Sequence, residues 1–357
     1  MKEKQLDIKR QKRQNMGKRD IKNLTLEELE KAIVAMREPR YRANQIFSWL
    51  YRRGVCDFDE MDNISRTLRD KLAGSYCISS LEFSEHLKST DGAEKFLFKL
   101  SDGNFIESVL LYTKNRKTIC LSTQVGCKFA CSFCASGFRG FIRNLTPAEI
   151  TNQILFLQHN LGHKITNYVL MGMGEPLDNY ENVSKAIEIM NDPEGMAIGA
   201  RRITISTCGI IPGMKKLENL GLQVNLSVSL HATNNSLRDA LMPINKRYPL
   251  EKLVKACEDF IDTTGRMITI EYILIKGKND SLEDADKLAA IAKKLKAKVN
   301  LVPCSTIPNL NFQSTGRRNI NMFMNRLINR GVNATLRESK GKDIQAACGQ
   351  LAGRAKI

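Results

Sequence analysis

Residues Thr118 to Cys134 read TICLSTQVGCKFACSFC, a strand-like run that leads directly into three cysteines. Cys127, Cys131 and Cys134 have the spacing C-x3-C-x2-C. Such a triplet could form disulfides, hold zinc or bind an iron–sulfur cluster. A structural zinc site usually takes four ligands, whereas a [4Fe–4S] cluster held by three cysteines keeps one iron open for a small molecule.

Strand-like and helical stretches alternate from residue 117 onward. The strand-like runs are TICLSTQV, NYVLMG, RITIST, VNLSVSLH, ITIEYILI and VNLVPC, with amphipathic helical stretches between them. This alternation predicts an α/β fold with a parallel sheet. The units are too few for a closed eight-stranded barrel, so we expect an open, partial (β/α)6 barrel over residues 117–357. Ligands of parallel sheets gather at the carboxyl ends of the strands, where the cysteine triplet follows the first strand.

The part of the chain before the barrel predicts three further segments. Residues 1–22 carry nine Lys or Arg against three acidic residues and are interpreted as a basic arm. Residues 23–85 predict a small helical domain, whose first helix opens with a capping box of Thr25 and Glu28. This domain is either a structural cap or an RNA-docking module. Residues 86–116 predict a hairpin extension with its turn at Asp102-Gly103.

Composition limits the class of partner and the compartment. The net charge of +17 favours a polyanionic partner, most often nucleic acid, over a plain basic enzyme. The N-terminus has no apolar core, and no apolar run reaches the roughly 20 residues that span a bilayer. We therefore expect a cytoplasmic monomer without a membrane partner, whose ten cysteines are reduced thiols.

Further candidate residues follow the predicted strands. MGMGEP at 171–176 follows the second strand; Gly174 permits close backbone approach, and Glu175 offers a carboxylate to an ammonium group. Alone, this segment would be a glycine turn. Ser206 ends the third strand. The fourth ends with Ser229, Leu230 and His231, the last equally compatible with a structural histidine.

Two more cysteines lie in unusual surroundings. Cys348 stands in DIQAACGQLAG near the C-terminus, and Cys120 lies in the first strand, seven residues before Cys127. Either could be a buried packing residue. That reading is kept for the remaining cysteines, which are Cys56, Cys77, Cys208, Cys257 and Cys304.

The cysteine triplet, with Phe133 before its last member, resembles the radical S-adenosylmethionine (SAM) superfamily. Together with Cys120, GMGEP, SLHA and ACGQLAG, it makes residues 23–353 closely similar to one family within it. That family is the radical SAM RNA methyltransferases, which methylate C2 of adenosine in 23S rRNA and in tRNA. Near relatives methylate C8 of the same ribosomal adenosine.

The resemblance implies cofactors and their ligands. A [4Fe–4S] cluster would bind Cys127, Cys131 and Cys134, and its open iron would bind SAM. Two SAM molecules would be used per turnover. The implied SAM-binding residues are Gly174, Glu175, Ser206, Ser229, Leu230, His231 and Ser305. Ser305 is a departure, because family members commonly have asparagine there.

The resemblance also implies catalytic roles. Cys348 would accept a methyl group from one SAM, and Cys120 would later release the product by forming a disulfide with Cys348. Either Glu107 or Cys120 would take the C2 proton. The disulfide requires a thiol reductant, and the cluster requires an electron donor.

Three other interpretations remain at this point. C8 methylation uses the same cysteines. A radical SAM enzyme acting on a protein or small molecule would have no use for Cys348 or the basic excess. A zinc-containing RNA-binding protein without enzymatic activity would share the charge and the triplet.

Overall fold

The computed structural model describes residues 17–307 and 312–353, which fall into two compact units. The helical unit contains the described residues up to 81 together with 146–163 and 184–198, and the barrel unit contains the rest. The sequence predicts an end of the helical domain at 85 and assigns 146–163 and 184–198 to the barrel. Both assignments need correction, because Leu155 and Ile189 are buried in the same apolar core as Phe47.

The helices and strands of the described residues have the following bounds. The helices are α1 (Leu26–Ala35), α2 (Tyr41–Ser48), α3 (Arg66–Ser75), α4 (Ala135–Arg139), α5 (Pro147–Leu155), α6 (Tyr180–Asn191), α7 (Ile211–Glu218), α8 (Asn235–Leu241), α9 (Leu250–Thr264), α10 (Leu282–Lys294) and α11 (Arg317–Asn329). The strands are β1 (Arg19–Asp20), β2 (Tyr76–Cys77), β3 (Glu82–Lys88), β4 (Glu94–Lys99), β5 (Phe105–Thr113), β6 (Arg116–Cys120), β7 (Gln124–Gly126), β8 (Phe141–Asn144), β9 (Asn167–Leu170), β10 (Ile203–Thr207), β11 (Asn225–Ser229), β12 (Thr269–Leu274), β13 (Lys298–Pro303) and β14 (Ala334–Leu336).

The helical unit begins earlier than its sequence predicts. Residues 1–16 of the predicted basic arm lie outside the described residues. Residues 19–20, however, form β1, which pairs in parallel with β2. Lys22 is buried, and its Nζ donates to Ser79 O and to Asn152 Oδ1, both at 3.0 Å. Lys22 therefore belongs to the folded unit, where its ammonium is satisfied internally, and not to an arm.

The predicted capping box of α1 is confirmed. The Thr25 hydroxyl accepts from Glu28 N at 3.3 Å, while Glu28 Oε2 accepts from Thr25 N at 3.0 Å. These two bonds satisfy backbone donors that a helix N-terminus otherwise leaves without partners. No helix of the described residues is long and apolar enough to cross a bilayer.

The barrel unit is built on one ten-stranded sheet with the order β14-β13-β12-β11-β10-β9-β6-β5-β4-β3. In this sheet β6 and the strands from β9 to β14 pair in parallel, and those from β3 to β6 pair antiparallel. This arrangement confirms the partial barrel and adds β14 as a further parallel strand. The hairpin is also confirmed, with Gly103 at φ +87° in the turn between β4 and β5.

The predicted first strand, TICLSTQV, is two strands. β6 ends at Cys120, and β7 pairs antiparallel with β8 in a separate two-stranded sheet. Between them Ser122 Oγ donates to Glu107 O at 2.6 Å, and Thr123 N donates to Met173 O at 2.8 Å. These tertiary bonds lead the chain away from the sheet and carry the cysteine triplet across the carboxyl ends of the strands.

Candidate active site

Residues 127–134, called the thiol loop, connect β7 to α4. Cys127 N donates to Gly140 O at 3.1 Å, and Cys134 N donates to Cys131 O at 3.0 Å. All three cysteines line a cavity of about 170 Å³, called the central cavity. Residues that follow β9, β10 and β11 line the same cavity, as predicted for the carboxyl edge of a parallel sheet.

The three thiols are placed where their charged forms need compensation. Burial raises the pKa of Cys127 to about 12 and also raises the pKa values of Cys131 and Cys134. Neighbouring sulfur charges add to the increase at each of them. Within residues 17–307 and 312–353, no three His, Cys, Asp or Glu side chains converge as ligands of one metal ion. Three thiolates on one cavity wall are a suitable donor set for an iron–sulfur cluster, whose positive irons would favour the deprotonated sulfurs.

The glycine-rich segment lies against the thiol loop's strand. Gly174 has φ +100°, and a Cβ added there would lie 2.5 Å from Gln124 Cβ. The Glu175 N–H donates to Gln124 Oε1 at 2.9 Å. Gly174 is therefore required for the close approach of this segment to β7, and both Gly174 and Glu175 line the central cavity.

Glu175 is buried and holds backbone groups of two turns. Its Oε1 accepts from Leu177 N at 3.1 Å, and its Oε2 accepts from Cys208 N at 2.7 Å. Burial raises its pKa, while these hydrogen bonds lower it. The Thr207 and Cys208 side chains also donate to this carboxylate, so a contact with an ammonium group would have to share or replace one of these donors.

The remaining predicted SAM-binding residues, which end or follow β10, β11 and β13, separate into two groups. Ser206, Ser229 and His231 line the central cavity, as the sequence predicts. Leu230 is buried and does not line it; its N–H donates to Glu271 O at 3.1 Å. Ser305 is also buried away from the cavity lining, and its Oγ has no hydrogen-bond partner among the described residues.

His231 is a neutral imidazole with a defined tautomer. Burial lowers its pKa to about 3, and Arg238 adds to this effect. Its Nδ1 accepts from Ile273 N at 3.0 Å, which leaves the proton on Nε2. The ring packs edge-on against Phe133 of the thiol loop, with centroids 5.0 Å apart. His231 therefore offers a hydrogen-bond donor to the cavity without a charge.

Arg238 is a fully buried residue that the sequence analysis does not single out. Its guanidinium donates to Leu230 O at 3.1 Å, to Ser229 O at 3.2 Å and to Cys208 O at 2.8 Å. It thus joins the loops that follow β10 and β11. Nothing in the sequence distinguishes it from the other arginines of a basic chain.

Cys120 and Cys348 line a second cavity of about 100 Å³, called the side cavity. Cys120 is buried in β6, and burial raises its pKa to about 12. Cys348 is exposed and also lines the central cavity. All ten cysteines are free thiols in this structure.

Arg337 lies beside both of these cysteines and was not predicted. It lines both cavities, and its Nη1 lies 3.3 Å from Met171 Sδ. The Cys348 sulfur raises the pKa of Arg337, and the guanidinium in turn lowers the pKa of Cys120. Arg337 is therefore a cation positioned to stabilise a thiolate at Cys120.

Glu107 lies outside both cavities and binds the segment that carries Cys348. Its Oε2 accepts from Ala352 N at 2.8 Å and from Gly353 N at 2.9 Å. Its Oε1 pairs with Lys95 Nζ at 3.0 Å, and Lys95 also donates to Gln345 O at 3.2 Å. The structure thus places Cys120 and Cys348 in one cavity, whereas Glu107 lies outside it and binds the backbone of the segment that follows Cys348.

The open parallel barrel, the three-thiol loop at its carboxyl edge and the glycine-rich segment beside it define a radical SAM enzyme. The chain matches the Radical SAM superfamily over residues 121–289 and the ribosomal RNA large subunit methyltransferase N-terminal domain over residues 19–78. A crystal structure of a radical SAM methyltransferase from Sphaerobacter thermophilus is similar, with a TM-score of 0.89 and 44% identity over 94% of this chain and 100% of that one.

Curated relatives place the chain within this class. It is 44% identical over 334 residues to a probable dual-specificity RNA methyltransferase RlmN of Clostridium novyi, covering 93% of this chain and 97% of that protein. The dual-specificity RNA methyltransferase RlmN of Geotalea uraniireducens is 44% identical over 339 residues, covering 95% and 98%. The chain belongs to the RlmN family of radical SAM RNA methyltransferases. Its cofactors are accordingly a [4Fe–4S] cluster and SAM.

Proposed function

We propose that this chain methylates C2 of an adenosine in 23S rRNA, and of the adenosine 3′ to the anticodon in tRNA, through a methylated Cys348. The dual-specificity RNA methyltransferases among the relatives support two RNA substrates, and the net charge of +17 suits a polyanion. The observation that carries the proposal is the position of Cys348, which lines both the central cavity and the side cavity that it shares with Cys120.

The chemistry of the target explains why such a pair of thiols is useful. C2 of adenine lies between two ring nitrogens and is electron-poor, so it does not attack the methyl group of SAM. A carbon radical can add to it. When bound, the cluster and SAM supply a 5′-deoxyadenosyl radical that removes hydrogen from a methyl group on sulfur.

The chain's own residues would divide the remaining work. The Cys348 thiolate accepts the methyl group of a first SAM, in a cavity that the Arg337 guanidinium also lines. After the carbon has bonded to C2, the adduct would give up one electron to the oxidised cluster and its C2 proton to a base. The Cys120 thiolate then bonds to the sulfur of Cys348, the electron pair of the bond from Cys348 to carbon moves onto the carbon, and this carbon takes up a proton to become the methyl group. The disulfide is reduced by an external thiol between turnovers, and the cluster needs an electron donor.

Glu107 is better suited to positioning than to proton transfer in this conformation. Both of its carboxylate oxygens are occupied by Lys95 and by the amides of Ala352 and Gly353. For Glu107 to take the C2 proton, the Cys348 segment would have to leave it. We therefore assign Glu107 to holding that segment and favour Cys120 as the proton acceptor.

Cysteine substitutions test this function directly. In the reconstituted enzyme, we expect Cys348→Ala to retain the brown cluster and to lose RNA methylation completely. We expect Cys120→Ala to accumulate a covalent protein–RNA adduct. Normal RNA methylation by Cys348→Ala would overturn the proposal, and SAM radiolabel in protein rather than RNA would indicate a different substrate.

The position of methylation needs its own measurement. C8 methylation of the same ribosomal adenosine uses the same cysteines and is the alternative reaction. Mass spectrometry of nucleosides from rRNA and tRNA of a strain that carries only this methyltransferase distinguishes the isomers by retention time against standards. We expect 2-methyladenosine in both RNAs.

A further inference from the structure

Three large apolar side chains are exposed beside the thiol loop. Phe138 on α4 is 54% exposed, and Phe141 and Ile142 on β8 are 42% and 49% exposed. Single exposed apolar residues are ordinary, but three within five positions form a patch that needs a reason. We call these three residues, together with Lys128, the aromatic ridge. None of the four lines the central cavity.

Backbone contacts attach this ridge firmly to two of the cluster-binding cysteines. Cys127 N donates to Gly140 O at 3.1 Å, and Phe138 N donates to Cys134 O at 3.3 Å. A Cβ added to Gly126, at φ +75°, would lie only 1.7 Å from Gly140 O. Gly126 is therefore required for the close approach of β7 to β8, and the two backbone hydrogen bonds connect the ridge to the thiol loop.

Positive charge accompanies the aromatic rings. Lys128 Nζ lies 5.6 Å from the ring centroid of Phe129 and 5.9 Å from that of Phe141, and it pairs with Asp178. Arg143, the residue after Ile142, pairs with Asp102; the side chains of Lys128 and Arg143 remain 51% and 30% exposed. Aromatic rings interleaved with cations bind single-stranded nucleic acid, because bases stack on the rings and phosphates contact the cations.

The proposed reaction creates a need for such a surface. An enzyme that modifies a base must take that base out of its stack, and the neighbouring nucleotides then lose a stacking partner. We propose that the aromatic ridge stacks the nucleotides that flank the target adenosine while this adenosine enters the central cavity. The inference rests on the proposed function, because it requires RNA as the substrate.

Two double variants test this inference in the cluster-loaded enzyme. Phe138→Ala/Phe141→Ala removes the rings, and Leu282→Ala/Ile328→Ala removes two apolar side chains of similar exposure, 48% and 49%, elsewhere in the barrel unit. Binding is measured by fluorescence anisotropy with a labelled single-stranded RNA fragment that carries the target adenosine. Methylation of Cys348 by SAM, measured by mass spectrometry without RNA, reports the integrity of the site.

We expect the ridge variant to bind RNA at least about 10-fold more weakly, from the usual effect of losing base–aromatic stacking. Its Cys348 methylation should equal that of the wild type, and the control variant should match the wild type in both measurements. Phe141→Tyr should retain binding and Phe141→Leu should not, because leucine keeps apolar area without a stacking face. If the Phe141→Leu variant bound RNA as tightly as the wild type, stacking would be refuted.

The remaining outcomes separate the two proposals. If the wild type methylates RNA and the ridge variant binds it equally well, this inference fails and the proposed function stands. If the wild type neither binds nor methylates RNA, both fail. If the ridge variant only converts a dimer to a monomer in sedimentation, the ridge contacts a second copy of the chain and the inference is wrong.

Discussion

The Glu107→Gln substitution gives the sharpest distinction between anchoring and proton transfer. Glutamine keeps the size of the side chain but removes its charge. In the native protein, one carboxylate accepts from Ala352 N and Gly353 N and pairs with Lys95, with exposures of 10% for the Lys95 side chain and 5% for that of Glu107. The NH2 group of the glutamine amide must face either Lys95 or the two backbone N–H groups. All of these are donors, so one side loses its hydrogen bond.

The magnitude follows from breaking one side of a buried ion pair. Such a change typically costs about 3–5 kcal/mol. At the lower limit, docking of residues 345–353 weakens by roughly 100-fold, since about 1.4 kcal/mol corresponds to a factor of ten. Cys348 lies in this segment, so its methylation by SAM should also become slower in the absence of RNA.

Hydrogen exchange of the Ala352 and Gly353 amides measures the docking, and mass spectrometry measures methylation of Cys348. Glu94→Gln is the matched control, because Glu94 is a buried carboxylate of the neighbouring strand that contacts Tyr112 and His86 instead. Protection that changes by less than about threefold, well below the roughly 100-fold effect of a lost buried partner, would refute anchoring. If RNA methylation were then lost while Cys348 was methylated normally, Glu107 would be the proton acceptor.

Three further predictions concern buried charge. Arg337→Met should slow release of the protein–RNA adduct at pH 7, because the guanidinium lowers the pKa of the attacking thiol, Cys120; an unchanged release rate in rapid-quench experiments would exclude this stabilisation. Because the pKa of Cys120 is about 12, release of the protein–RNA adduct in rapid-quench experiments should accelerate about tenfold per pH unit from 7 to 9, and a plateau in that range would contradict a buried thiol. Arg238→Met should lower the free energy of unfolding by at least about 3 kcal/mol in denaturant titrations, since it leaves several buried carbonyls without donors. The control Arg247→Met removes a guanidinium stacked on Tyr248 and should change the free energy of unfolding little.

The parts of the fold that depend on local pattern were predictable. The alternation of strands and helices predicts the parallel sheet, and Thr25 with Glu28 predicts the helix start, because both signals lie within a few residues of each other. The break in TICLSTQV was not predictable. It depends on Ser122 and Thr123, whose partners Glu107 and Met173 belong to other strands and loops.

The same limit applies to the candidate site. The cysteine triplet, Cys348, Gly174, Glu175 and His231 have distinctive neighbours in sequence, and all line the central cavity, while Cys120 lines the side cavity. Arg337 has no such signal, since it is one of 55 Lys and Arg residues. The partners of Glu107 are backbone amides, which any residue supplies, so its anchoring role leaves no pattern in the sequence. Ser305 shows the opposite error. Its position in the chain matches a SAM-binding residue of the family, but its side chain does not line the central cavity.

The position of Cys348 in the wall between two cavities also sets an order of events. Divalent sulfur has room for one partner beyond its own side chain, so it holds either a carbon in the central cavity or the sulfur of Cys120 across the side cavity. Cys120 itself is fixed between β5 and β9, in register with Val109 and Val169, and cannot follow its partner. In the proposed mechanism, Cys348 can therefore accept a new methyl group only after the previous one has left with its RNA and the disulfide has been reduced.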